Sequence, residues 1–202
     1  MPTSFVVMEM LGTVAFAVSG VRLASAKKYD LFGAFAVGLA TAVGGGTLRD
    51  LLLRVQPFWT TNAVYFLCCA FALLWVMLFR RQLVRQENTW FIFDTLGLAL
   101  FNVIGIEKSL NLGQTWWMAI TMGCVTGAAG GVIRDVLLGE TPLIFRKEIY
   151  AVACACGGVV YIAMRHFGVP GSLNAAVAIV TVIATRLLAV RFHWHLPTLK
   201  GE

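Results

Sequence analysis

The sequence predicts an all-α membrane protein of seven transmembrane helices, two inverted three-helix repeats followed by a seventh helix. Three observations carry that prediction. Charged residues are 13% of the 202-residue chain and hydrophobic residues 59%, whereas a soluble domain carries about 25% charge. Apolar segments of about 20 residues, the length that crosses a bilayer, recur along the chain. The chain also repeats itself. Gly44-Gly45-Gly46-Thr47-Leu48-Arg49-Asp50 returns as Ala129-Gly130-Gly131-Val132-Ile133-Arg134-Asp135, an offset of 85 residues. The same offset maps Glu9 on Asp94, Gly12 on Gly97, Phe16 on Phe101, Gly20 on Gly105, Gly38 on Gly123 and Tyr65 on Tyr150.

The first span, residues 5–24, has no basic region before it and no small-residue cleavage site. It is expected to be a retained helix and not a signal peptide. The second span, 31–53, and the fifth, 115–138, hold the two glycine-arginine-aspartate motifs. The others are 62–79, 89–106, 148–164 and 172–190. Short connections carry the breakers: Lys27-Lys28, Gln56-Pro57, Asn111 to Gly113, Gly139 to Pro142 and Gly168 to Pro170. Backbone groups in lipid must be satisfied within their own segment, so the spans are helices. The ten-residue alternating strands of a barrel are absent from the sequence.

The whole chain, 1–202, reads as one membrane domain. Residues 1–85 form the first repeat, 86–170 the second, and 171–202 the seventh helix and a cytoplasmic tail. Three spans is an odd number, so the second copy enters the membrane from the opposite side. The net charge of +6 lies mostly in loops. One side receives Arg22, Lys27, Lys28, Arg80, Arg81, Arg85, Arg146, Lys147, Arg186, Arg191 and Lys200; the other receives Arg54, Lys108 and Arg165. The richer side is expected to be cytoplasmic, which puts the N-terminus outside and the C-terminus inside. Trp59, Trp90, Trp116, Trp117 and Trp194 lie near span ends, as interfacial anchors do. Arg186 is expected to snorkel to the interface, and Glu107-Lys108 to be loop charges.

The two motifs carry the candidate chemistry. Each glycine weakens a helix by about 1 kcal/mol relative to alanine. Gly44, Gly45, Gly46, Gly130 and Gly131 therefore mark either a kink that turns backbone carbonyls toward a cavity, or a close helix crossing. Arg49, Asp50, Arg134 and Asp135 follow one turn later, inside apolar sequence. A charge at membrane depth costs at least a few kcal/mol and persists where it meets water or a partner. Glu9 should share a level with Arg49-Asp50 near the outer mouth, and Asp94 with Arg134-Asp135 near the inner mouth. Adjacent residues project about 100° apart, so one of each Arg-Asp pair can face a pore while the other braces a helix. Asn102 stands where the first repeat has Ala17, and Ser19 where the second has Ile104. Both are polar candidates for a path, with a buried interhelical hydrogen bond the alternative for Asn102.

Other chemistry is excluded by pattern. No hydrolase, kinase, P-loop or metal motif occurs, so no enzyme is expected. No segment has the composition of a nucleic-acid surface. The five cysteines, Cys68, Cys69, Cys124, Cys154 and Cys156, lie in apolar runs and read as packed thiols. His166, His193 and His195 read as loop or tail groups.

Two Gly-Gly-x-x-Arg-Asp motifs 85 residues apart in a seven-span chain resemble the bacterial and archaeal branch of the trimeric intracellular cation (TRIC) channel family. Pro142 to Phe145 and the ending from Arg186 to Pro197 add to the resemblance. It implies a homotrimer in a plasma membrane, with a pore for monovalent cations, chiefly potassium, through each protomer between the inverted halves. It implies no cofactor beyond permeant K+ or Na+ and bound lipid. Its pore kinks map onto Gly44 to Gly46 and Gly130-Gly131, and its pore charges onto Asp50 and Asp135 with Arg49 and Arg134 beside them. Ala129 breaks the second glycine triplet. Leu51 to Gln56 holds only Arg54, which does not resemble the basic lipid-binding motif of animal members. Such bacterial sequences also resemble a domain labelled as a glycine transporter, so a small-solute carrier is the rival reading. Inverted repeats with broken helices suit alternating access as well as a channel.

Overall fold

The computed structural model describes residues 3–79, 89–146 and 149–194. Within them lie seven α-helices: α1 (Thr3–Ala26), α2 (Leu31–Leu52), α3 (Val64–Leu78), α4 (Thr89–Asn111), α5 (Trp116–Leu137), α6 (Ala151–His166) and α7 (Gly171–Arg191). Short 3₁₀ turns at Phe58–Thr61 and Leu143–Phe145 precede α3 and α6. Five helices are long and apolar enough to cross a membrane; α3 and α6 are apolar but shorter. At 15 residues, α3 reaches only ~22 Å, and its 3₁₀ turn extends the segment toward the interface. Arg80, Arg81, Arg85, Lys147, His195, Lys200 and Pro197 lie outside the described residues.

The repeat is visible in packing. Phe16 of α1 stacks on Phe101 of α4, its repeat equivalent, with ring centroids 5.5 Å apart. Each ring lies where the other helix offers glycine: Gly97 faces Phe16 and Gly12 faces Phe101. The α2–α5 crossing has the same reciprocity. A side chain at Gly45 would strike the Thr126 carbonyl, and one at Gly130 the equivalent Thr41 carbonyl. Contacts that map onto themselves under the 85-residue shift put the pseudo-two-fold axis through these two crossings. Within each repeat, Gly20 lies on Gly38 and Thr41, and Gly105 on Gly123 and Thr126. Thr41 and Thr126 hydroxyls donate to the carbonyls of Val37 and Met122 one turn back, which leaves them polar yet satisfied in the apolar crossing. The helical backbone is continuous through Gly44–Gly46 and through Gly130-Gly131.

Helix ends also repeat. Residues with positive φ follow α1, α2, α4 and α5: Lys28 (60°), Arg54 (56°), Gly113 (74°) and Gly139 (68°). Lys28 is equivalent to Gly113, and Arg54 to Gly139. Each turn closes with the six-to-one backbone bond of a left-handed helix stop, such as Val55 N–H to Asp50 O and Glu140 N–H to Asp135 O. The Asp30 carboxylate caps α2 by accepting from Gly33 N–H at 2.7 Å. The seventh helix packs on α6 and α4.

Three expectations are corrected. Helix α4 runs to Asn111, five residues past the expected end, so Glu107 and Lys108 lie in a helix and not a loop. Lys108 has a buried partner, described below. Arg186 does not snorkel; it is 1% exposed, because Phe91 and Asp94 of α4 and Tyr150, just before α6, hold it inside. Arg22 is likewise buried on α1.

Candidate functional site

The intramembrane charges assemble as two ionic clusters, one near each end of the bundle. In the first, Arg49 and Asp50 are consecutive on α2 and leave the helix about 100° apart. The side chains turn toward each other: Arg49 Nε donates to Asp50 Oδ1 at 2.7 Å. An Arg49 Nη2 lies 3.9 Å from Glu9 Oε1 of α1. Tyr65 of α3 donates its hydroxyl to Glu9 Oε2 at 2.7 Å. Lys108 Nζ of α4 sits 2.8 Å from Asp50 Oδ1. The other Asp50 oxygen accepts from Phe58 N–H at 2.9 Å and so anchors the 3₁₀ turn. Arg49 and Asp50 are fully buried, and the Lys108 side chain is 13% exposed.

The second cluster repeats this scheme. Arg134 Nε donates to Asp135 Oδ1 at 2.9 Å, and Nη1 to Asp94 Oδ1 at 2.5 Å. Asp135 Oδ2 accepts from Leu143 N–H at 3.1 Å, again anchoring the 3₁₀ turn. Tyr150 donates to Asp94 at 3.4 Å. Ser19 of the first repeat accepts from Arg134 Nη1 at 2.8 Å and donates to the Trp90 carbonyl. The second cation comes from α7: Arg186 Nη2 is 3.7 Å from Asp94 Oδ2.

Each cluster thus pairs two carboxylates with two cations: Glu9 and Asp50 with Arg49 and Lys108, and Asp94 and Asp135 with Arg134 and Arg186. That balance has an energetic reason. Removing one partner of a buried pair costs about 3–5 kcal/mol, because a charge is left uncompensated. The fourth member differs. The repeat equivalent of Lys108 is Leu23, so the second cluster has no lysine there. Arg186 lies outside the repeat.

A cavity of about 310 Å³ reaches Asp135 from the end of the bundle that carries Lys27, Glu140 and Arg146. Lys27 Nζ lies 2.5 Å from Glu140 Oε1, and Arg146 Nη2 lies 3.4 Å from Glu140 Oε2. The hydrogen bond and charge of Lys27 lower the pKa of Glu140 below its ordinary value. The repeat equivalents of Lys27, Glu140 and Arg146 at the opposite end are Leu112, Val55 and Thr61, all uncharged.

The glycines lie between the clusters at helix contacts. Gly44 faces Ile133, Gly46 faces Phe58, and Gly131 faces the Tyr150 hydroxyl. Asn102 is fully buried between Gly123 and Gly157. Its side chain has no hydrogen-bond partner among the described residues, and no ion pair or hydrogen bond joins it to either cluster. Sequence reasoning missed Lys108, Arg186 and the two tyrosines as site residues. The tyrosines left a signal, since Tyr65 and Tyr150 are repeat equivalents. Arg186 left a weaker one, as an arginine inside the last apolar run.

Comparison with known proteins follows the same division. The family model described as "Glycine transporter" matches twice, at residues 6–81 and 91–166, the two copies again 85 residues apart. The inner membrane protein YadS of Escherichia coli (strain K12), a UPF0126 protein, is 39% identical over 196 residues, covering 95% of this chain and 94% of its own. The UPF0126 membrane protein YvgT of Bacillus subtilis (strain 168) is 34% identical over 193 residues, 94% of each chain. Among solved structures, the TRIC trimeric intracellular cation channel orthologue from Rhodobacter sphaeroides superposes with a TM-score of 0.90 at 33% identity, covering 95% of this chain and 99% of its own. A prokaryotic TRIC channel solved in 0.5 M KCl gives 0.86 at 27% identity, covering 97% of this chain and 100% of its own. Doubled family match, full-length relatives and superposable fold lead to one conclusion: this chain belongs to the bacterial branch of the TRIC channel family, also described as the glycine-transporter family.

Proposed function

We propose that the protein is a cation channel, permeable to potassium, with a conduction path through each protomer of a homotrimer between the inverted repeats. The observation that carries this reading is the pair of charge-balanced clusters at opposite ends of the bundle. Conduction requires binding favourable enough to admit an ion and weak enough to release it. A carboxylate already holding a cation and a backbone N–H meets that requirement, because a permeant ion must exchange with a protein cation and gains little net energy. Asp50 is such a group, with Lys108 as a tethered occupant. Asp135 is the second, reached by the end cavity.

The glycines of α2 and α5 are proposed to supply the flexure that widens the path between the clusters, with Ser19 and Asn102 as polar groups along it. The N-terminus is proposed to face outward and the C-terminus the cytoplasm, in an inner membrane with lipid bound at its surface. The relatives described as a cation channel in several solved structures support ion conduction over enzymatic chemistry.

A carrier for glycine is the second reading, favoured by the description of the matching family model. The deciding experiment compares potassium flux with labelled glycine uptake in liposomes carrying the purified protein. Potassium currents far above a carrier's turnover are expected. Saturable glycine uptake without current would replace the channel reading with the carrier. If the channel reading holds, Lys108→Gln should raise potassium conductance about two-fold or more, since cluster one then carries a net negative charge in a low-dielectric site; single-channel recording checks it.

A further inference from the structure

We propose that Arg186 of the seventh helix is a fixed counter-cation that keeps the second cluster electrically neutral and so makes the two ends of the conduction path unequal. The inference rests on the cation-channel reading for its effect on current, but its charge pairing can be tested without it.

Arg186 occupies an unusual place. Helix α7 is the least enclosed of the five long helices, yet Arg186 is 1% exposed. Its guanidinium lies 4.7 Å from the ring centroids of both Phe91 and Tyr150. Two aromatic faces attract a planar cation and leave it little freedom to swing. Tyr150 ties the arrangement together, because its ring faces Arg186 while its hydroxyl donates to Asp94. Asp94 Oδ1 is already taken by Arg134, and Oδ2 is the oxygen that faces Arg186.

The first cluster reaches neutrality by a different device. Glu9 has the equivalent tyrosine, Tyr65, and the equivalent arginine, Arg49. Its fourth charge is Lys108, partly exposed, near the end of α4. A lysine is a point charge on a flexible stem with three rotatable donors; an arginine stacked on two rings is not. One cluster therefore has a cation that can leave its carboxylate, and the other has one that cannot. The protein's own cation can thus step aside at the Lys108 end and not at the Arg186 end, and current through such a path depends on its direction.

The test uses the full chain in planar bilayers and in detergent. Current at equal voltages of opposite sign, and thermal unfolding midpoint, are read for wild type, Arg186→Gln, Arg186→Lys, Asp94→Asn and the Asp94→Asn/Arg186→Gln double variant. Arg186→Gln is expected to change the ratio of the two currents about two-fold or more, opposite in sense to Lys108→Gln, because the second cluster becomes net negative. Arg186→Lys should return the ratio toward wild type while the midpoint stays lowered by loss of the stacked fork. The double variant should recover both ratio and midpoint relative to Arg186→Gln. If Arg186→Gln does not fold, the lysine and double variants carry the same comparison. An unchanged ratio with only a lowered midpoint would overturn the inference, leaving Arg186 a packing residue. If the wild type passes no potassium current, the channel reading fails by itself. The midpoints then decide the pairing: additive effects of Asp94→Asn and Arg186→Gln would overturn it.

Discussion

Asp50 and Asp135 divide their two oxygens between different tasks. One oxygen meets the neighbouring arginine; the other accepts from Phe58 N–H or Leu143 N–H and holds the following 3₁₀ turn. Asp50→Asn therefore removes a charge and weakens a turn anchor together. It should change potassium conductance and also lower stability by about 3–5 kcal/mol, the range for removing one partner of a buried ion pair. Chemical unfolding in detergent, measured beside conductance, checks both. Sequence reasoning from the doubled motif left open which of each Arg-Asp pair faces a pore, and the family resemblance gave that role to the aspartates. Nothing in a linear sequence ties Asp50 to an amide eight residues on. The ionic pairs themselves were legible, because buried charges repeated at one offset must find partners. Lys108 was not, since the fourth span reads as ending at residue 106 where polar residues begin. The structure carries that helix on to Asn111, and the extra turn delivers the lysine to Asp50.

Helix ends and helix crossings carry separable energies. Gly139 has φ of 68°, and a Cβ there would meet nothing. Gly139→Ala thus isolates the backbone cost of the left-handed conformation, about 1–2 kcal/mol. Arg54, its repeat equivalent, already bears that cost at φ of 56°, so Arg54→Gly should stabilise by a similar amount. Equilibrium unfolding of the pair should give opposite signs; equal signs would mean that side-chain contacts of Arg54 outweigh its backbone strain. Gly45 and Gly130 act through sterics instead. A methyl group at either meets a backbone carbonyl of the opposite repeat, of Thr126 or Thr41. Each alanine substitution should destabilise by about 1–3 kcal/mol, as overpacking does. Because the two contacts exchange under the repeat, their losses should be alike. The glycine motif left kink and crossing as open alternatives, since both need small side chains. Only the reciprocal contacts identify the crossing.

At the scale of the molecule, an inverted repeat makes two ends from one plan, and departures from the plan mark where the ends differ. The offset of 85 residues exposed the plan in the sequence, down to equivalent phenylalanines that prove to stack on each other. The departures were harder to read, because an unmatched Glu140 or Lys27 looks like any loop charge. Folded, they meet over the cavity that leads to Asp135, whereas Val55 and Leu112 occupy the other end. The Lys27–Glu140–Arg146 contact spans the end of α1 and the segment after α5, and so straps the two repeats together at one mouth. Its pH dependence follows from sign. Lys27 lowers the Glu140 pKa, so the bridge is fully present above the ordinary carboxylate range. It is lost as pH falls through the lowered folded value. If the strap restricts entry to the cavity, Glu140→Gln should raise potassium current at neutral pH and low salt. Wild type should approach the variant as the solution on that side is acidified below the ordinary glutamate range. Salt should narrow the difference too, since exposed charges are screened over about 3 Å at 1 M. Equal currents for wild type and Glu140→Gln at low ionic strength would place the strap off the conduction path and leave the second mouth to Asp135 and Arg134 alone.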